Sequence, residues 1–171
     1  GTTTDRNTPT QTSSLGTNKT AVAINTGYGH TCVILDDGSV SCWGDNYYGQ
    51  LGDETNTDRN TPIQIFSLGT WRTAVAITTG GMHTCAILDD GSVSCWGYNG
   101  HGTLGDGTTT HRNTPTQTTS LGTDKTAVAI SAGYQDTCVI LDDGSVSCWG
   151  RNHIGQLGDG TTTDRNTPTQ T

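Results

Sequence analysis

The sequence predicts an all-β fold of tandem four-stranded antiparallel blades, and three observations carry that prediction. A 53-residue pattern recurs without insertion or deletion, marked by Pro9, Pro62, Pro115 and Pro168, by Cys32, Cys85 and Cys138, and by Trp43, Trp96 and Trp149. A fixed period of this length marks supersecondary units that bury their apolar faces against their neighbours. Only 30% of residues are apolar and 14% charged, too lean for a thick helical core but suited to short strands joined by Gly-rich turns. Each unit, finally, carries a hairpin in its local sequence.

That hairpin is Thr31–Trp43 in the first unit (TCVILDDGSVSCW). Two runs of β-branched and apolar residues flank Asp36-Asp37-Gly38, where Gly38 supplies the left-handed residue of a three-residue loop. Centring the turn on Asp37 pairs Ile34 with Val40 and Cys32 with Cys42. Alternation then puts Cys32, Ile34, Val40 and Cys42 on one face and Thr31, Val33, Leu35 and Trp43 on the other. Both faces are apolar, so the hairpin is expected to lie between two neighbouring sheets, as blades stack in a propeller. Ala21–Ile24 reads as a further strand. Pro9–Thr12 and its copies read as a short outer strand, where proline is tolerated.

The period divides the chain into unit 1 (1–53), unit 2 (54–106), unit 3 (107–159) and the start of a fourth (160–171). Gly1–Thr12 and Gly160–Thr171 are identical, GTTTDRNTPTQT, which reads as an excerpt from a longer array with a higher-order period of three units. The array either closes into a propeller or continues as an open superhelical filament, since three blades are fewer than a ring needs.

The six cysteines fall as one pair per unit: Cys32 and Cys42, Cys85 and Cys95, Cys138 and Cys148. Even count, regular pairing and facing register point to disulfides and an oxidising, extracellular or cell-surface compartment. Metal binding is the competing reading, because His30 and His83 precede a Cys by two residues. Asp136 replaces the histidine in unit 3, which leaves no recurring tetrahedral ligand set. A net charge of −8 argues against a nucleic-acid partner. No apolar run reaches membrane-spanning length, so membrane insertion is not expected either.

The run Gly27-Tyr28-Gly29-His30-Thr31, the Asp-Asp-Gly-Ser-Val turn, Cys42-Trp43-Gly44, Gly49-Gln50-Leu51-Gly52 and Pro62 together resemble the regulator of chromosome condensation repeat family, in all three units. The resemblance implies four-stranded β-propeller blades. Departures are Gly102-Thr103-Leu104-Gly105, with Thr for Gln, and Gln135-Asp136 for Gly-His. The cysteine pair and the Thr-rich arm are additions that resemble secreted bacterial members. That family spans exchange factors, photoreceptors and secreted inhibitors, so the fold carries over and the function does not.

No catalytic residue is assigned, and no cofactor is expected, because neither a nucleophile elbow nor a phosphate-binding loop is present. The Asp36-Asp37, Asp89-Asp90 and Asp142-Asp143 pairs sit where turns want Asp. Asp159–Asp164, with copies beginning at Asp106 and Asp53, offers oxygens for weak calcium binding, against the competing reading of a solvated loop. The recurring tryptophans read as blade packing. Asn18-Lys19-Thr20 is the one N-glycosylation acceptor pattern. Unit 2 departs from its siblings with Ile63, Ile65, Phe66 and Trp71, an apolar set on the outer arm that reads as an interface or as local packing. The expected function is that of a structural, self-associating extracellular repeat protein in a surface fibre. The alternative is a secreted propeller that binds a protein or glycan.

Overall fold

The computed structural model describes all 171 residues. Twelve strands form three separate four-stranded antiparallel sheets. Blade 1 holds β1 Ala21–Thr26, β2 His30–Leu35, β3 Val40–Gly44 and β4 Arg59–Gln64. Blade 2 holds β5 Ala74–Thr79, β6 His83–Leu88, β7 Val93–Gly97 and β8 Arg112–Gln117. Blade 3 holds β9 Ala127–Ala132, β10 Asp136–Leu141, β11 Val146–Gly150 and β12 Arg165–Gln170. The strands of each blade lie side by side in chain order. No helix is long and apolar enough to cross a membrane.

The folded blades are out of phase with the units counted from residue 1. Each takes its outer strand from the beginning of the following unit, so the last twelve residues complete blade 3. One expectation needs correcting. Arg165–Gln170 is a strand, whereas its identical copy Arg6–Gln11, which contains most of the expected strand Pro9–Thr12, is not. The cause is long-range: β12 has β11 beside it, while the first copy has no inner strand to pair with.

Within each blade the hairpin register follows the turn. Ile34 faces Val40 and Cys32 faces Cys42, with the same pairing in β6–β7 and β10–β11. Gly38 sits at φ 76°, a conformation that costs glycine little, and the Leu35 amide donates to the Ser39 carbonyl at 2.8 Å. Disulfides join Cys32 to Cys42, Cys85 to Cys95 and Cys138 to Cys148.

Packing between blades is heterologous. Cys32, Ile34, Val40 and Cys42 of blade 1 lie in one core with Ala86, Leu88 and Trp96 of blade 2. One unit on, Cys85, Ile87, Val93 and Cys95 meet Val139, Leu141 and Trp149. The cysteine-bearing face of one blade is thus covered by the tryptophan-bearing face of the next. Contact concentrates on the inner strands, with β5 against β1 and β2, and β9 against β5 and β6. The sheets therefore fan out from an inner edge, and they are not closed into a ring.

Each bridge closes a ten-residue separation, a constraint on the unfolded chain of about 3 kcal/mol in the loop-entropy account. Replacing Cys85 and Cys95 together with Ala should therefore lower the unfolding free energy by about 3 kcal/mol. Urea denaturation under non-reducing conditions measures it, and an unchanged midpoint would contradict a stabilising bridge.

Candidate functional site

The junction between blades is where the polar chemistry of this chain gathers. Leu51 and Leu104, from the β3–β4 and β7–β8 loops, enter the two cores beside Trp96 and Trp149. The Trp149 indole Nε1 donates to the Thr103 carbonyl at 2.9 Å. Gly105, at φ 67°, lies so close that a Cβ there would stand 2.8 Å from the same nitrogen, so the loop needs glycine twice over. The three tryptophans that recur at the unit spacing serve packing, with Trp96 and Trp149 wholly buried and Trp43, on the uncovered face of blade 1, half-buried.

A histidine–threonine relay crosses each junction. His30 Nε2 lies 2.9 Å from Thr84 Oγ1, and the Thr84 hydroxyl donates to the Gln50 carbonyl at 2.8 Å. His83 repeats this with Thr137 at 2.9 Å and the Thr103 carbonyl at 3.1 Å. Because the single threonine proton goes to the carbonyl, the imidazole donates through Nε2–H. Burial pushes the His30 pKa down to about 4, against a smaller upward pull from Asp45, and the His83 pKa down to about 3. Both rings are neutral at physiological pH. With the cysteines in disulfides, the metal reading of His30 and His83 loses its thiolate ligands.

Every β3–β4-type loop is closed by a buried asparagine. Asn46 Nδ2 lies 3.0 to 3.1 Å from Asp53 Oδ1 and from the Thr55 and Thr57 carbonyls, and its Oδ1 accepts the Leu51 amide at 2.9 Å. Asn99 and Asn152 do the same in their loops. The acidic partner is in turn held by arginine: Arg59 Nε donates to Asp53 at 2.8 Å, Arg112 to Asp106 at 2.9 Å and Arg165 to Asp159 at 2.7 Å. These carboxylates are only 3 to 4% exposed. Burial alone would raise the Asp53 and Asp106 pKa values, but hydrogen bonds from Thr, Arg and Asn outweigh it and lower both. Hydrogen bonds from Thr161 and then Arg165 bring Asp159 down to about 2. The loop itself is exposed along most of its length, as the solvated reading expects, but its leading aspartate is no open oxygen ligand: it is an internal clamp whose carboxylate oxygens are already bonded.

Other candidates fall as follows. The turn aspartates cap their own turns, Asp37 accepting from the Ser39 hydroxyl at 2.6 Å and pairing with Lys19. Hydrogen bonds from Lys19 and Ser39 hold its carboxyl well below the usual range. Asn18 is exposed at φ 56°, with the Thr20 hydroxyl of its acceptor pattern donating to Asp36 at 2.7 Å. The apolar set of unit 2 does not stay together. Ile65 is 5% exposed and belongs to the core between blades 1 and 2, because the chain bends inward where its amide donates to the Val40 carbonyl. Ile63 is half-buried opposite Cys42. Phe66 and Trp71 remain exposed, Trp71 at 93% and φ 61°, where Asn18 and Asp124 occupy the same left-handed position. On the opposite rim Tyr48, Tyr98 and His111 form an aromatic cluster with ring centroids 5.0 Å apart.

The buried asparagines and the threonines of the relay were not singled out from sequence, although both recur at the unit spacing. Asn46, Asn99 and Asn152 stand in Gly-rich segments, where asparagine reads first as a turn residue.

Fanned antiparallel sheets with complementary faces, each with its loop clamped by Asn, Asp and Arg, define a propeller-type blade scaffold. The chain belongs to the Regulator of chromosome condensation (RCC1) repeat family: models of that repeat match residues 37–87, 90–140 and 143–171, and also 21–50 and 127–156. It is 36% identical over 141 residues to the human E3 ubiquitin-protein ligase HERC2, covering 82% of this chain and 3% of that one. It is 32% identical over 166 residues to the Arabidopsis thaliana ultraviolet-B receptor UVR8, covering 96% and 37%. Among solved structures, human WBSCR16 superposes with a TM-score of 0.81 at 22% identity, over 95% of this chain and 42% of that one. Prp20p of Saccharomyces cerevisiae gives 0.77 at 20% identity, over 88% and 38%. The chain thus spans well under half the length of these relatives, and the two solved structures speak for the fold.

The relay makes a pH prediction. A histidine whose folded pKa is depressed leaves folding stability intact above its unfolded pKa of 6.5, and that stability falls as pH drops toward the folded value. Between pH 6.5 and 4 the chain should lose about 3 kcal/mol or more, before the clamp aspartates are protonated. Urea midpoints against pH measure the slope, and substituting His30→Gln with His83→Gln should flatten it.

Proposed function

We propose that this chain is a non-catalytic structural module that works by stacking blades, in an extracellular or cell-surface fibre. The observation that carries the reading is that unlike faces join at both internal junctions, the cysteine face of one blade against the tryptophan face of the next. Ile140, on the cysteine face of blade 3, is 44% exposed, whereas its counterparts Ile34 and Ile87 are each 2% exposed beneath the next blade. At the other end Ile24, on the tryptophan face of blade 1, is 64% exposed, while its counterparts Ile77 and Ile130 pack against the cores. The two open faces are of opposite kind and match the two faces joined at each internal junction. Head-to-tail contact of unlike faces propagates a filament when the rotation does not close, and a ring when it does.

Three disulfides with no free cysteine support an oxidising compartment, and exposed Asn18 is an acceptor for N-linked glycan there. Phe66 and Trp71, at the rim carrying the turns, suit lateral contact between stacks. A second reading, a closed propeller that binds a protein or glycan partner, draws support from exposed Tyr28, Tyr47 and Tyr134 on the opposite rim. It also draws on Prp20p, whose solved structure is described with its binding properties to Gsp1p and histones.

Sedimentation and negative-stain imaging test this reading. The chain should associate with concentration into uniform fibres, and Ile140→Asp should abolish association by burying a charge in the joint. Phe66→Ser with Trp71→Asn should leave fibre length unchanged and reduce bundling. Closed rings would favour the binding module, and association indifferent to Ile140→Asp would overturn the stacking reading.

A further inference from the structure

We infer that a groove on the outer rim of blade 2, walled by Phe66 and Arg72 and flanked by Trp71, is a binding site for a neutral saccharide. The inference goes beyond the stacking reading and does not rest on it, because the groove opens on the rim that carries the turns rather than into a joint between blades.

The connection from β4 to β5, the β6–β7 turn and the outer strand β8 together enclose about 450 Å³, within the roughly 300 to 1,000 Å³ of small-molecule sites. A groove of the same kind recurs on blade 1. Ser67, Arg72, Leu88, Ser94 and Gln117 line the one, and their counterparts Ser14, Lys19, Leu35, Ser41 and Gln64 line the other. The polar frame is therefore shared, and three side chains set blade 2 apart. Phe66 stands where the sibling units have Ser13 and Thr119, Trp71 where they have Asn18 and Asp124, and Arg72 where they have Lys19 and Lys125. Folding does not account for the two aromatic residues. Phe66 is 60% exposed and Trp71 93%, so neither buries its ring. Trp71 also holds φ 61°, where a bulky side chain is strained and Asn or Asp is tolerated. Side chains kept in such conformations cluster at ligand sites.

The chemistry of the groove selects the ligand. Arg72 pairs with Asp90 at 2.5 Å and with Asp89 at 3.6 Å, so its charge is neutralised in place and offers little to a phosphate, a sulfate or an acidic sugar. The other Asp90 oxygen accepts the Ser92 hydroxyl at 2.6 Å, which leaves no open carboxylate for a cation. What a ligand meets is uncharged or already paired. Ser94 and Gln117 stand opposite each other across β7 and β8, and their side chains line the groove without an internal hydrogen bond. A hydroxyl, a planar amide and the remaining guanidinium N–H groups give donors and acceptors in the mixture that sugar hydroxyls require. The two exposed rings complement the other side of a sugar, because the C–H face of a pyranose meets the negative face of an aromatic ring. An extended peptide is the competing occupant. It would have to add to the edge at β8, where Pro115 withholds an amide from the ladder.

Binding of the full chain to an array of neutral, sialylated and sulfated glycans, with peptides printed beside them, tests this. The expected result is binding to neutral glycans, weakened about tenfold or more by Phe66→Ser with Trp71→Asn, which removes both aromatic anchors. Arg72→Lys keeps the charge but loses the planar fork, and should also weaken binding. Both variants carry residues found in unit 1 and should keep the parent's urea midpoint. Titrating the bound glycan into the parent should shift the emission of Trp71 to the blue, a change the double variant lacks. Ile140→Asp should bind like the parent, because the groove lies outside the joints. Binding to no neutral glycan, binding that both variants retain, or binding to acidic glycans or peptides alone would each overturn the inference. If the double variant reduces bundling while no glycan binds, the lateral contact between stacks stands and the saccharide site does not.

Discussion

Each hairpin of this chain is apolar on both faces, and the rest of the structure follows from the need to cover them. A single four-stranded blade cannot do so alone, and such a small unit has little core of its own. The faces differ: one presents the disulfide with Ile34 and Val40, the other the indole with Val33 and Leu35. Unlike faces fit each other, so the arrangement repeats in one direction and has polarity. Stability is then shared between intrinsic blade terms and the interfaces that join neighbours, as expected of a one-dimensional repeat.

The polar groups at the junction serve the same contact. His30, Thr84 and the Gln50 carbonyl form a chain of hydrogen bonds within a buried interface, where an unmade bond costs more than it would in water. The clamp of Asn46, Asp53 and Arg59 holds the long β3–β4 loop in the shape that delivers Leu51 to Trp96. Buried carboxylates persist there because each is paired and hydrogen-bonded. The outer arm of one blade, the loop clamp and the tryptophan pocket of the next are one connected construction.

Much of this was legible in the sequence for local reasons. A two-residue period on either side of a Gly-containing turn fixes register, so Cys32 opposite Cys42 and the assignment of Trp43 to the other face follow without knowledge of the fold. Features set by distant partners were not legible. Arg6–Gln11 and Arg165–Gln170 are the same six residues, and only the second is a strand, so no local rule separates them. Ile65 reads as part of an exposed set until the bond to Val40 turns it inward. Asn46 reads as a turn residue until loop closure buries it. The clamp aspartates resembled open calcium ligands because the arginine that occupies them lies six residues further on.

The central claim is that coverage of both faces, rather than the content of each blade, sets stability. Amide hydrogen exchange followed strand by strand at low concentration tests it most directly. Every residue of β6 and β7 is buried, while β3 and β10 include exposed or half-buried positions. The expected result is greatest protection in β6 and β7 of the middle blade, with β2 and β3 and especially β10 and β11 exchanging faster. Equal protection across all three blades in the unassociated chain would show that each blade is stable without its neighbours, and would contradict the account.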